Sequence, residues 1–121
     1  MKNTIEVSPP NSLILIMDQS IGEIPESMNG KLVACTDSCI AVGTRSEIDG
    51  NTEIFLGFKP NSDIKLDLAF KGEIRTPNRK IHICNVYDEK LLETTVSSER
   101  SSIEVWVNDK SEPSLISVLV M

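Results

Sequence analysis

The chain has 121 residues, of which 40% are hydrophobic and 25% charged, a size and composition typical of one globular domain. Twelve basic and eighteen acidic residues give a formal net charge of −6. Such a surface repels nucleic acid and anionic membranes and attracts basic partners, so neither a nucleic-acid nor a membrane role is expected.

The N-terminal segment reads as a tail. Pro9 and Pro10 close off residues 1–11, and residues 12–121 are predicted to form a single β-sandwich domain. The N-terminus lacks the apolar core of a signal peptide, and no stretch is long enough to span a bilayer. Three cysteines cannot build a complete disulfide framework, and free thiols suit a reducing compartment, so we expect a cytoplasmic protein.

The first predicted strand is apolar on both faces. In the segment 12–17, Leu13 and Leu15 lie on one face, and Ile14 and Ile16 lie on the other. This pattern indicates a central strand covered on both sides, or one with a face in a subunit interface. The last segment, 114–120, is also apolar on both faces and likewise needs cover on both sides. A symmetric partner would supply cover that so small a domain lacks, and we therefore predict a two-fold homodimer.

Strict alternation marks the segment 63–70, where Ile64, Leu66, Leu68 and Phe70 share one face of a strand. The same period returns in most later segments, and none shows a sustained helical period. The chain is therefore predicted to be all-β, an antiparallel β-sandwich of about nine short strands. The predicted strands are 12–17, 32–35, 39–42, 52–58, 63–70, 80–86, 91–96, 102–107 and 114–120. The side chains predicted to be buried are Leu66, Leu68, Phe70, Ile81, Ile83, Ile103, Val105 and Val107.

The sequence also predicts two turns between these strands and one β-bulge. The sequence 36–38 is predicted to join two short strands in a hairpin. Asp49-Gly50 is the dipeptide of a type I′ turn, because glycine tolerates positive φ without steric cost. Gly72 is the predicted site of a β-bulge.

The soft metal ligands are Cys35, Cys39, Cys84 and His82. Cys35 and Cys39 have the spacing of one zinc-binding pair, and His82 and Cys84 share a strand face as a second pair. The segments lack the glycine-rich knuckle of such sites, however, and free cysteine is commonly buried as a small apolar side chain. We therefore expect no metal and no cofactor.

His82 is the only histidine of the chain. It lies on the strand face opposite Ile81 and Ile83, so it points outward or into a second layer. No nucleophile motif accompanies it, and a surface histidine without catalytic function is the favoured interpretation. The chain is therefore not expected to be an enzyme.

Trp106 is the sharpest candidate contact. Its neighbours Val105 and Val107 point inward, so Trp106 points away from the core beside Glu104, with Asp109 at the same end of the strand. An outward tryptophan is either capped by the stem of a Lys or Arg side chain or anchors a partner. Glu47, Asp49 and Glu53 cluster around the predicted Asp49-Gly50 turn, where a solvated tip is the favoured interpretation and a partner contact is the alternative. The predicted partner-binding residues are Trp106, Glu104 and Asp109, with Glu47, Asp49 and Glu53 as a second contact.

One segment carries a family resemblance. Residues 30–54 read GKLVACTDSCIAVGTRSEIDGNTEI and resemble the corresponding part of the bacterial competence protein ComJ family. In that family a Gly, an Ala and an Asp precede a short apolar strand and a polar turn, in a chain of similar size and acidity. The resemblance implies an inhibitor of a secreted or membrane-associated nuclease, and it assigns no binding residues.

Two functions follow as hypotheses. The first is a non-enzymatic protein-binding module, an inhibitor or immunity-type protein whose acidic face binds a basic protein such as a bacterial nuclease. The alternative is an oligomeric β-sandwich scaffold or a small-ligand-binding protein. An acidic patch around Trp106 would favour the first, and a deep apolar pocket the second.

Overall fold

The computed structural model describes residues 3–60 and 65–121 of the chain. Across these residues the chain is all-β, with two single-turn 3₁₀ helices at Pro10–Ser12 and Glu47–Asp49. No helix of the described residues could cross a membrane. The strands are β1 (Thr4–Val7), β2 (Leu13–Met17), β3 (Val33–Cys35), β4 (Cys39–Gly43), β5 (Thr52–Gly57), β6 (Asp67–Arg75), β7 (Lys80–Cys84), β8 (Lys90–Thr95), β9 (Arg100–Val107) and β10 (Leu115–Val120).

The strands form two five-stranded sheets. Sheet I has the order β1-β5-β10-β9-β6, and sheet II has the order β3-β4-β2-β7-β8. The β5–β10 pair is parallel, and the other pairs are antiparallel. A parallel pair needs a long crossover rather than a hairpin, and the chain from β5 to β10 passes through both sheets. The predicted β-sandwich is confirmed, with ten strands in the part of the chain that the structure describes and with one parallel pair where only antiparallel pairs were predicted.

Aliphatic side chains from both sheets fill the space between them. Five side chains predicted to be buried are fully buried there, namely Ile81, Ile83, Ile103, Val105 and Val107. In β9 the buried residues alternate strictly with partly exposed ones, as the sequence pattern predicts. Further members of this core are Ile14, Ile16, Ile40, Val42, Ile54, Leu56, Ile74, Leu92, Val96, Ile116, Val118 and Val120.

Strand β6 departs from the predicted alternation. Leu68 is 40% exposed, Leu66 and Phe70 are only partly buried, and Asp63 and Ile64 lie outside the described residues. The register with β9 shifts between Leu68 and Phe70, so the bulge lies there and not at Gly72. The extra residue turns Leu68 outward while Phe70 packs against the core. The prediction that Leu68 is buried is therefore wrong.

Gly72 has a packing role in the same strand. A Cβ at this position would lie 2.7 Å from Cζ of Phe70, so the phenyl ring covers the space that any other side chain would need. Gly72, the predicted bulge position, thus leaves room for the ring of Phe70.

The predicted N-terminal tail instead contributes the edge strand β1, which pairs antiparallel with β5. Ile5 and Val7 pack against the core, and Glu6 between them is exposed. The sequence predicts a tail here because the alternation within residues 4–7 is short and the strand with which it pairs lies almost fifty residues further along the chain.

Strand β2 is buried on both faces within one chain. Ile14 and Ile16 enter the core, while Leu15 and Met17 belong to a second apolar cluster on the other face of sheet II. The segment between β2 and β3 covers this cluster, because Met28 packs on it and Gly22 touches Met17. The central position of β2 agrees with the sequence pattern, but the strand needs no second subunit to cover it.

The two predicted turns have different outcomes. Strands β3 and β4 form the predicted hairpin, closed by a hydrogen bond from the Thr36 amide to the Cys39 carbonyl (2.8 Å). Strands β4 and β5 lie in different sheets, so residues 44–51 cross between sheets. Asp49 ends a 3₁₀ helix, and of the dipeptide Gly50 alone has positive φ, at 120°. The type I′ prediction is therefore wrong.

Candidate protein-binding face

A row of side chains runs across the face of sheet I that points away from the core, called here the outer face. Leu68, Trp106, Ser117 and Phe55 lie side by side on β6, β9, β10 and β5. Phe55 is 4% exposed, whereas Trp106 is partly exposed and Leu68 is 40% exposed. The accessible end of this row is therefore an apolar strip made by Trp106 and Leu68.

Trp106 is held by an acidic neighbour. Its indole Nε1 donates a hydrogen bond to Oε1 of Glu104 (3.1 Å), two residues earlier on the same strand face. The other carboxylate oxygen, Oε2, lies 3.7 Å from Nζ of Lys71 on β6. Trp106 is thus outward and beside Glu104, as the alternation predicts, and the hydrogen bond fixes the orientation of both side chains.

Two carboxylates face each other at the opposite edge of the outer face. Glu6 on β1 is the direct cross-strand partner of Glu53 on β5, and both are exposed. Like charges in this position repel each other. Leu115 on β10 adjoins Glu53, so Glu53 and Trp106 flank β10 on the same face. Sequence reasoning missed Glu6 because the residue lay in the presumed tail, although the alternation of residues 4–7 carried the signal.

The remaining predicted contacts lie in two loops at one end of sheet I. Glu47 and Asp49 are exposed in the crossing segment 44–51, and Asp109 is exposed in the loop 108–114. The Arg45 amide donates to the Pro113 carbonyl (3.0 Å), and the Glu53 amide donates to the Ser114 carbonyl (2.9 Å). These bonds join the two loops, so both predicted acidic groups belong to one continuous surface.

The Asp109 carboxylate shapes its own loop. Its Oδ1 accepts hydrogen bonds from the amide and hydroxyl of Ser111 (both 2.8 Å) and from the Glu112 amide (3.2 Å). These bonds, the Ser111 amide first, hold the pKa of Asp109 below its ordinary value. Asp109 is therefore ionised at neutral pH in a fixed position.

Charge is distributed unevenly around sheet I. At the far end of β6 and β9, Arg100 pairs with Glu73 (3.1 Å) and Asp37 (2.9 Å), which neutralises that region. Within the described residues no ion pair involves Glu6, Glu47, Asp49 or Glu53. Acidic side chains that form no ion pair with a described residue are therefore gathered at the loop end of sheet I.

The three cysteines lie on three different strands of sheet II. Cys39 and Cys84 are buried in the second apolar cluster on either side of β2, whereas Cys35 is exposed on the edge strand β3. Burial, together with nearby thiols, raises the pKa of Cys39 to about 12. Burial, with Asp88 nearby, raises the pKa of Cys84 to about 11. Among the residues that the structure describes, no group of three or more His, Cys, Asp or Glu side chains could hold a metal ion.

His82 is 6% exposed, so the prediction of a surface histidine is wrong. The ring lies in the second layer, beneath the segment that follows β2. Its Nδ1 accepts a hydrogen bond from the Gln19 amide (3.0 Å), so the proton is on Nε2, which contacts Oε1 of Glu93 (3.0 Å). Both ring nitrogens are therefore engaged, and the histidine ties the loop to the sheet.

Three open clefts on the surface have volumes of about 500, 420 and 450 Å³. The first and third mix polar and apolar side chains, such as Glu6 and Leu91 in the first, whereas polar and charged side chains such as Asp18 and Lys80 line the second. A site for an apolar small ligand would be deep and largely hydrophobic, and these three clefts lack that character.

Comparison with solved structures gives a match over nearly the whole chain. The fold is similar to that of ComJ. The crystal structure of ComJ from Bacillus subtilis, an inhibitor of the DNA-degrading activity of NucA, aligns with a TM-score of 0.63. The alignment covers 99% of this chain and 96% of ComJ at 13% sequence identity. The predicted ComJ-like resemblance is confirmed at the level of the fold, well beyond residues 30–54. No family model matches the sequence, and comparison with curated proteins gives no match.

Proposed function

We propose that this protein is a non-enzymatic inhibitor that binds a nuclease through the outer face of sheet I. The observation that carries the proposal is the partly exposed Trp106, fixed by Glu104 on an acidic sheet face. Tryptophan is enriched at the energetic centres of protein interfaces, and negative charge attracts the basic surface with which a nuclease binds DNA. The fold shared with ComJ, an inhibitor of a nuclease, supports the same conclusion.

The sheet offers a rigid arrangement of negative charges. Glu6, Glu53 and Glu104 lie on three strands of sheet I, and strand pairing fixes the positions from which their side chains project. Carboxylates presented in this way can occupy positions that DNA phosphates would otherwise take on the nuclease. Because the backbone is already ordered, little conformational entropy is lost on binding.

The proposal is tested by measuring DNA degradation. The chain is added in increasing amounts to NucA, and also to any DNA-degrading activity that the immobilised chain captures from cells that produce it. We expect stoichiometric inhibition of at least one of these nucleases. The proposal is overturned if NucA retains full activity and no captured fraction degrades DNA in a way that added chain suppresses.

A matched pair of variants assigns the inhibition to the outer face. Glu53→Lys and Glu26→Lys change the net charge equally, but Glu26 lies in the exposed segment over sheet II. We expect Glu53→Lys to weaken inhibition and Glu26→Lys to leave it nearly unchanged. Equal effects of the two substitutions would indicate that net charge, and not this face, determines binding.

The two-fold homodimer is also proposed. Strand β2 is covered within one chain and gives it no support, but the apolar strip of Trp106 and Leu68 offers a self-complementary contact, from which a nuclease would displace the second copy. Sedimentation at micromolar concentration should then show a dimer, and Leu68→Glu should convert it to a monomer. A monomer in the unmodified protein would refute the dimer while leaving this face free for a nuclease.

A cytoplasmic location is a further proposal, supported by three cysteines that are all free thiols. Cell fractionation with an antibody to the chain tests it. Recovery in the secreted or membrane fraction would contradict it.

A further inference from the structure

We infer that the outer face of sheet I receives an arginine side chain of the partner, which displaces Lys71 from the Glu104 carboxylate and stacks on Trp106. This inference rests on the proposed function, because it names the chemistry that the nuclease would present. The arginine receptor is defined by Trp106, Glu104, Leu68 and Lys71.

The Glu104 carboxylate is poorly solvated and incompletely paired. Its side chain is only 14% exposed, and Oε1 is engaged by the indole of Trp106. The contact from Oε2 to Lys71 is 3.7 Å, longer than the 2.7–2.9 Å typical of a charge-assisted hydrogen bond. A carboxylate removed from water gains most from a cation that reaches hydrogen-bonding distance. Among the described residues no donor lies within hydrogen-bonding distance of Oε2, so this oxygen can accept a hydrogen bond from a donor on the partner.

The neighbouring apolar strip suits the rest of an arginine side chain. A planar guanidinium can stack on an indole ring while donating hydrogen bonds to a carboxylate at the ring's edge. Leu68 lies directly beside Trp106 and is 40% exposed, so it can pack against the methylene stem. A lysine ammonium cannot stack in this manner, so the site should distinguish arginine from lysine.

Lys71 acts as an internal placeholder. Its side chain is 65% exposed and makes a long ion pair with Glu104, a contact of the kind that contributes little to stability. An arriving guanidinium would displace it at small cost. Removing the Lys71 side chain should therefore strengthen arginine binding, because no ammonium group then competes for Glu104. The substitution also removes one positive charge from the protein.

The experiment uses the fluorescence of Trp106, the single tryptophan of the chain. Hexa-arginine and hexalysine peptides are titrated at low ionic strength against the unmodified protein and three variants. Glu104→Gln keeps an oxygen to accept the indole hydrogen bond but removes the charge. Lys71→Ala removes the placeholder, and Glu26→Gln removes one carboxylate from the other side of the sandwich. Thermal unfolding of each variant verifies that it is folded.

We expect hexa-arginine to change the Trp106 fluorescence and to bind more tightly than hexalysine. Glu104→Gln should weaken hexa-arginine binding by about tenfold, as expected for loss of one charge-assisted hydrogen bond. Lys71→Ala should tighten hexa-arginine binding about two- to fivefold, because the energy of a loose surface ion pair corresponds to a change of that size. Glu26→Gln should change the hexa-arginine affinity by no more than about twofold, because the charge of Glu26 is distant and screened.

Three results would overturn the inference: equal effects of Glu104→Gln and Glu26→Gln, equal affinity for the two peptides, or weaker binding by Lys71→Ala. These results are separable from the nuclease assay. A chain that inhibits no nuclease but shows the expected peptide response refutes the proposed function alone. A chain that inhibits a nuclease but shows no Glu104 dependence refutes the arginine receptor alone.

Discussion

Leu68 and Trp106 are direct cross-strand neighbours on the outer face of sheet I, and the bulge between Leu68 and Phe70 brings them together. Without the extra residue, Leu68 would point into the core with Phe70. The bulge therefore gives up a buried leucine and gains an exposed apolar contact beside the only tryptophan. Exposed apolar groups rimmed by charge are typical of interaction surfaces.

The first prediction compares Leu68 with a core residue. Leu68→Ala should lower the free energy of unfolding by less than about 1 kcal/mol, because the side chain is already partly solvated. Ile83→Ala should lower it by about 2–5 kcal/mol, because Ile83 is fully buried and a cavity would remain. Urea denaturation measures both values. Comparable losses for the two variants would show that Leu68 contributes to the core after all.

The sequence predicts strands best where local alternation and global burial agree. Strand β9 pairs on both sides, and its buried residues Ile103, Val105 and Val107 follow the pattern without interruption. Strand β6 begins with equally clear alternation, but it is an edge strand, and its bulge depends on the register with β9. A single inserted residue reverses every face assignment before it, and local periodicity carries no sign of that insertion.

Long-range pairing also explains what was missed at the candidate face. Trp106 and Glu104 follow from alternation within one strand, so the sequence predicts their position. Glu6 enters the face only because β1 pairs with β5, and the loops join only through Arg45 and Pro113, which lie far apart in sequence. The Asp49-Gly50 signal failed for the same reason, since the strands it seemed to connect lie in different sheets.

The second prediction separates the two kinetic roles on the outer face. Trp106→Ala should shorten the lifetime of a nuclease complex by about thirtyfold, equivalent to about 2 kcal/mol, if Trp106 is a central anchor. Glu53→Lys should mainly slow association and weaken its salt dependence, because Glu53 is an exposed rim charge. Surface plasmon resonance at two salt concentrations measures both rates, with Glu26→Lys as the control. An unchanged dissociation rate in Trp106→Ala would remove tryptophan from the centre of the interface.

The third prediction concerns the thiols. In the native protein at pH 8, a thiol reagent should modify Cys35 rapidly, because that residue is exposed. Cys39 and Cys84 should react slowly, since burial raises their pKa values to about 12 and about 11 and keeps both thiols protonated. Mass spectrometry should find one modification in native protein and three in denaturant. Cys35→Ser should abolish the rapid reaction, and rapid modification of two residues would contradict the buried positions.

The fourth prediction is a pH dependence centred on Asp18. Burial raises the pKa of this carboxyl, but hydrogen bonds from Asn78 and Ser20 outweigh burial and hold the pKa below its ordinary value. Asp18 therefore stabilises the protein above the unfolded-state pKa of about 3.9, and this contribution is lost as the pH falls through the lower folded-state value. Asp18→Asn should cost about 1–3 kcal/mol at pH 7 and less at pH 3.

Urea denaturation at the two pH values checks this expectation, with the exposed Asp67→Asn as the control. The control should change stability little at either pH. An Asp18→Asn deficit that is equally large at pH 3 and pH 7 would show that the network contributes by shape and not by charge.

The fifth prediction concerns the facing carboxylates of Glu6 and Glu53. Their repulsion destabilises the free protein, so Glu53→Lys should raise the free energy of unfolding by about 0.2–1 kcal/mol by creating an attractive pair with Glu6. The same variant should inhibit the nuclease less well, because the partner would meet a positive charge on this face. Glu53→Gln should give part of the stability gain, and all gains should shrink in high salt. Thermal unfolding and the nuclease assay on the same preparations test the two effects together. A variant that loses both stability and inhibition would show that Glu53 supports the fold. A variant that gains stability and loses inhibition would indicate that the repulsion between Glu6 and Glu53 serves binding.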